Sequence, residues 1–229
     1  MKMVDSLSQL FVHKKVFRSF SCLLLIACCY ACTGNENRNT GNSIATGKDT
    51  VVKAEAPVKT DSIPTNIAAI QSSYEQISRE LNNGRYDSTF FNYNCHNEKK
   101  GTVQYFTKNG QLRMIVHRYN EYDHYTAEDY YYVMDSSLFF SYRRSVAWAF
   151  ESGPAGATRD EITERRTYWI SNKPVKCLEK QYVIHSQATN NPRSETVANK
   201  EVECNNMASI VKLFELLVSY RYTPTGGCL

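Results

Sequence analysis

The sequence predicts an α+β fold: an antiparallel sheet of about six strands, three hairpins in a meander, with N- and C-terminal helices packed on one face. Three observations lead there. Amphipathic helical patterns flank the body of the chain. A tyrosine-rich middle repeats an aromatic-turn-aliphatic unit three times. One run, 138–149, alternates with the two-residue period of a strand.

The first helix is expected from about Pro64 to Asn82. Ile67, Ile70, Tyr74, Ile77 and Leu81 recur at spacings of three and four and draw one apolar stripe. Pro64 suits a first turn, Ser62 could cap it, and Gly84 stops it. The repeat follows. Tyr105-Phe106 precedes Asn109-Gly110 and Leu112; Tyr131-Tyr132 precedes Asp135-Ser136 and Leu138; Tyr168-Trp169 precedes Asn172-Lys173 and Val175. Asn and Asp tolerate the left-handed backbone of a tight hairpin, and Asn-Gly is its strongest signal. Each copy therefore reads as a hairpin tip, and the strands are 102–107, 111–119, 127–133, 138–149, 162–170 and 175–185. In 138–149, Leu138, Phe140, Tyr142, Val146 and Trp148 share one face, expected to be buried. Phe139, Ser141, Arg143, Ser145 and Ala147 share the other, expected to be mixed and solvated. Residues 151–160 form a small flexible loop. The last helix carries Met207, Ile210, Val211, Phe214, Leu217 and Val218, could begin as early as Glu195, and ends before Pro224.

Residues 28–63 contain few large apolar side chains and read as a disordered tether, its flexible stretch spanning roughly 30 Å. The folded part is then a single domain, 64–229. Its four cysteines, Cys95, Cys177, Cys204 and Cys228, suggest two disulfides with three possible pairings. A metal site is the rival reading, with Cys95-His96 as the only adjacent ligand pair, but no C-x-x-C spacing occurs in the domain. No metal and no cofactor are expected.

The net charge of +4 resides mostly in the first 27 residues, where Lys2, Lys14, Lys15 and Arg18 stand against Asp5. The remainder is close to neutral, which argues against a nucleic-acid partner. Of sixteen tyrosines, twelve lie between Tyr86 and Tyr182, a composition suited to a pleated, half-buried surface. None of His96, His117, His124 and His185 falls in an H-E-x-x-H pattern, and no G-x-S-x-G elbow occurs. No catalytic set is therefore assigned. Tyr122-Asp123-His124-Tyr125 is the densest polar-aromatic cluster, and Tyr119, Tyr122, His124 and Tyr125 are the candidate interaction surface. The charged run from Glu161 to Arg166 is explained by cross-strand ion pairs on the open face.

The amino-terminal segment has the layout of a secretory signal, residues 1–27, with basic residues ahead of a short apolar run. Leu25-Ile26-Ala27-Cys28 resembles the lipobox of bacterial lipoproteins, with Cys32 as the alternative attachment site. That resemblance implies acyl chains on the cysteine and a protein held on a bilayer outside the cytoplasm, the outer membrane favoured. The repeated Tyr-aromatic-x-x-Asn/Asp-Gly-x-Leu hairpin resembles one in uncharacterised secreted bacterial proteins, for which no activity is assigned. The functional expectation is a lipid-anchored, non-catalytic binding or interaction module whose partner is an envelope protein or small ligand. The alternatives are a small-ligand or lipid carrier, and a hydrolase whose residues meet only in the fold.

Overall fold

The computed structural model describes residues 62–225 and 227–229. The signal segment 1–27, the attachment cysteines Cys28 and Cys32, and the tether as far as residue 61 lie outside the described residues. Helix α1 spans Ile67–Asn82. Asn66, rather than Ser62, caps it, its side chain accepting a hydrogen bond from the Ala69 amide. The helix stops where Gly84 turns left-handed, with its amide bonded to the Leu81 carbonyl.

Eight strands follow: β1 Asp87–Cys95, β2 Lys99–Lys108, β3 Gln111–Glu121, β4 Tyr125–Met134, β5 Ser137–Phe150, β6 Thr158–Ile170, β7 Lys173–His185 and β8 Lys200–Val202. They form one antiparallel sheet in chain order, each strand pairing with the next. The six expected strands correspond to β2 through β7. The two added ones are the edges. Helix α2 closes the chain at Met207–Ser219. It does not begin at Glu195: residues 194–196 make one 3-10 turn and 200–202 join the sheet.

Three hairpins turn at the same end of the sheet through two-residue loops with both central residues left-handed, at Asn109-Gly110, Asp135-Ser136 and Ser171-Asn172. The third turn sits one residue earlier than the Asn172-Lys173 spacing suggests. In each hairpin the returning strand carries one unpaired residue, which is Arg113, Phe139 or Val175.

Those bulges and the aromatic doublets decide where the helices go. Successive strand residues point to opposite faces. Each doublet therefore sends one ring to each side. Phe106, Tyr132, Phe140 and Tyr168 pack with Ile70, Tyr74 and Ile77 of α1. Tyr105, Tyr131, Leu138 and Trp169 pack with Met207, Phe214 and Leu217 of α2. The helices thus lie on opposite faces, not on one, because both faces are apolar at the turn end. The bulge at Phe139 also moves Leu138 to the face opposite Phe140, which corrects the simple alternation expected for 138–149.

Both cores occupy the half of the sheet nearest the three tight turns. The helices, at about 24 Å and 20 Å for 16 and 13 residues, are shorter than the 14-residue β5, which extends about 45 Å. The far half of the sheet is left for other uses.

Two disulfides join the four domain cysteines, Cys95 to Cys228 and Cys177 to Cys204. The first ties the chain's end to edge strand β1. The second ties the segment before α2 to β7.

Candidate functional site

Two polar constellations occupy this far half, one on each face. On the α1 face, Glu164, Arg166 and Lys180 are all buried. The Glu164 carboxylate accepts from the Ser194 hydroxyl at 2.6 Å and the Tyr182 hydroxyl at 2.9 Å, and lies 3.3 Å from the Lys180 ammonium. Lys180 donates to the Ser194 carbonyl and hydroxyl. Arg166 donates to Asn199 and lies over the Tyr142 ring. Burial pushes the Glu164 carboxyl up, but the Ser194 bond, the Lys180 charge, the Tyr182 bond and the Arg166 charge together hold it below the ordinary value. This network fastens the connection between β7 and β8 onto the sheet. Ser194 beside Lys180 resembles a nucleophile with a base, yet the Ser194 hydroxyl donates its proton to the Glu164 carboxylate rather than to the Lys180 nitrogen.

On the α2 face, one row of directly opposed residues crosses five strands: His117, Asp129, Arg143, Arg165 and Glu179. Asp129 takes two hydrogen bonds from the Arg143 guanidinium, through Nε and Nη2. Glu179 holds the same edge of Arg165 through one oxygen, Oε2, at 3.0 Å from Nε and 2.8 Å from Nη2. The Asp129 hydrogen bond raises the affinity of Arg143 for its proton, so the group is charged throughout the working range. Tyr119 accepts from Arg143 at 3.4 Å and stacks on the His117 ring.

His117 is fully buried, and burial, helped by the Lys99 and Arg143 charges, lowers its pKa to about 3. Its Nε2 lies 2.8 Å from the Tyr93 hydroxyl. Asp129 stands 3.9 Å from Nδ1, outside hydrogen-bond reach, with its charge committed to Arg143. The neutral ring shares a hydrogen bond with the Tyr93 hydroxyl and acts as a fixed prop. Gly101 makes this possible: a Cβ there would meet the Tyr93 ring at 2.6 Å and the Arg118 carbonyl at 2.6 Å.

Over Arg143 and Arg165 lies a cavity of about 280 Å³, bounded by Tyr125, Tyr131 and Ile210 of α2. Ser141 and Thr167 flank the arginines on one side, Ser145 and Thr163 on the other, each an opposed pair. The chemistry on offer is guanidinium and hydroxyl donors beside aromatic and aliphatic walls. A binding pocket is built this way.

The four residues expected to form one surface are separated. Tyr125 lines the cavity, and Tyr119 supports Arg143 beside it. Tyr122 stands at the exposed tip of the β3–β4 turn. His124 packs at a tilt against Trp148, 4.1 Å between ring centres, and Trp148 belongs to the opposite face. The charged run 161–166 is also divided: Arg165 makes a cross-strand pair with Glu179 on the open face, while Glu164 and Arg166 are buried beneath the β7–β8 connection. Sequence reasoning placed Arg143 on the open face and Arg165 among cross-strand ion pairs, assigned neither to a ligand, and did not single out Asp129 or Glu179. A signal existed. Ser141-Tyr-Arg-Arg-Ser145 and Thr163-Glu-Arg-Arg-Thr167 share one pattern, hydroxyl-x-Arg-Arg-hydroxyl, on strands that pair.

The Sγ atoms of Cys95 and Cys228 and a His96 nitrogen come within 4.8 Å of one another, but both sulfurs are spent in the disulfide. No described helix is long and apolar enough to cross a membrane. Compared with known proteins, the chain matches no family model, no curated protein and no solved structure.

Proposed function

We propose that the protein is a lipid-anchored binding module of the bacterial cell envelope, and that it takes a small ligand in the cavity over Arg143 and Arg165. The observation that carries this is the cavity itself, where fixed donors and aromatic walls converge on the half of the sheet that α2 leaves open. The lipobox-like Leu25–Cys28 supports the anchor. The pairing of all four domain cysteines supports an oxidising compartment. A lipid carrier with its cargo between helix and sheet is less well supported, since Ile70, Leu217 and their neighbours fill those spaces. Hydrolysis is less well supported too, because neither the buried His117 nor His185, 2.7 Å from Glu151, is among the residues that line the cavity.

Ser145→Trp tests the site by filling it. Native mass spectrometry of full-length protein, purified gently from membranes, should show a small molecule on the wild type and none on the variant, with equal circular dichroism. Identical spectra for the two would refute the pocket. Palmitate labelling should vanish in Cys28→Ser; label that persists there and vanishes in Cys32→Ser would move the anchor.

A further inference from the structure

Arg143 and Arg165 face each other directly across β5 and β6. Like charges so placed, with Cβ atoms about 5 Å apart, work against pairing. Alternating the signs along the row would have avoided this, since the two acids are also present. The order is instead acid, base, base, acid. Each carboxylate sits behind its arginine and occupies the Nε and Nη2 edge. Among the described residues neither Nη1 has a hydrogen-bond partner, and both arginines line the cavity. The hydroxyls of Ser141, Thr167, Ser145 and Thr163 frame the pair. Two guanidinium groups locked by acids and ringed by hydroxyls form a preorganised oxyanion cradle.

We infer that the facing Arg143 and Arg165 bind the carboxylate of a small organic acid whose apolar or aromatic body rests against Tyr125, Tyr131 and Ile210. The inference rests on the pocket reading above. Charge selects the class. Two guanidinium groups and two carboxylates cancel, so a monoanion adds one uncompensated charge and a dianion such as phosphate adds two. The aromatic and aliphatic wall opposite selects a body over a bare inorganic ion. A pocket of this volume, at the small end of ligand sites, fits one ring with a short acidic arm.

Calorimetric titration of the full-length protein in detergent provides the test, using benzoate against benzamide and phenylacetate against phenylacetamide, with inorganic phosphate as the dianion. Each acid should bind at least about tenfold tighter than its amide. The double change Arg165→Gln with Glu179→Gln removes both members of one pair, so no lone charge is left to unfold the domain. It should erase the preference for the acid while leaving the melting temperature close to wild type. Acid and amide binding equally, with both lost in Ser145→Trp, overturns the arginine cradle and leaves the pocket reading standing. Binding of the probes that ignores Ser145→Trp overturns both, and no binding by any probe overturns the cradle while the co-purified molecule decides the pocket. Phosphate outcompeting the acids overturns the choice of a monoanion.

Discussion

Acid should weaken this domain through His117 before any carboxylate is involved. The ring is neutral in the fold, with its pKa lowered from 6.5 to about 3 by burial first and by the Lys99 and Arg143 charges next. In the unfolded chain it takes a proton below about 6.5. Between those values only the unfolded state binds the proton, so stability sits at its plateau above pH 6.5 and falls as pH drops toward 3. Each unit of separation is worth about 1.4 kcal/mol, so the whole window amounts to about 5 kcal/mol and the drop from neutrality to pH 5 to about 2 kcal/mol. Glu80 and Glu164 both have pKa values held below the ordinary 4.5, so their own contributions are lost only at lower pH. Guanidinium unfolding of wild type and His117→Gln at pH 7 and pH 5 measures the difference. The wild type should lose about 2 kcal/mol more than the variant. An equal loss would show that the Asp129 carboxylate, 3.9 Å away, stabilises the imidazolium after all and that burial does not decide its charge.

Removing the Cys95–Cys228 disulfide frees a loop of 133 residues and should cost about 5 kcal/mol; removing Cys177–Cys204, with 27, should cost about 3.5 kcal/mol, both read from denaturation midpoints. Gly101→Ala should cost about 1–3 kcal/mol by pushing the Tyr93 ring off His117, and Tyr93→Phe in the same chain should not restore it, because the ring as well as the hydroxyl is in the way. Glu164→Gln takes the carboxylate charge from between the buried Lys180 and Arg166 and should cost about 3–5 kcal/mol in the same unfolding assay. Alanine at the exposed Tyr122 should leave stability unchanged to within about 0.5 kcal/mol.

Local chemistry made the middle of the fold legible. The hairpin turns announced themselves through Asn109-Gly110 and Asp135-Ser136, and the stripe Ile70, Tyr74, Ile77 gave α1. The third turn slipped by a residue because Ser171 accepts the left-handed position that the repeat spacing assigned to Asn172. The edge strands escaped notice for different reasons. β1 mixes Asn, Ser and Asp with its rings, and β8 has only three residues. The doublets Tyr105-Phe106 and Tyr131-Tyr132 already implied two apolar faces, since neighbours on a strand cannot point the same way. They were read as turn markers instead. The site was hidden for a deeper reason. Asp129, Arg143, Arg165 and Glu179 lie in one row only because register aligns them across four strands. Register depends on bulges that no single stretch displays.

The disulfides are nested: the pair Cys177–Cys204 lies inside the span of Cys95–Cys228. Along the domain, Cys177 stands 82 residues from Cys95, whereas the native mate Cys228 stands 133 away. Shorter loops close at a smaller entropic cost. An indiscriminate oxidant acting on the unfolded domain would therefore favour the wrong thiols. The proper bonds then require either that folding bring Cys95 and Cys228 together before oxidation, or that a reshuffling catalyst undo the early error.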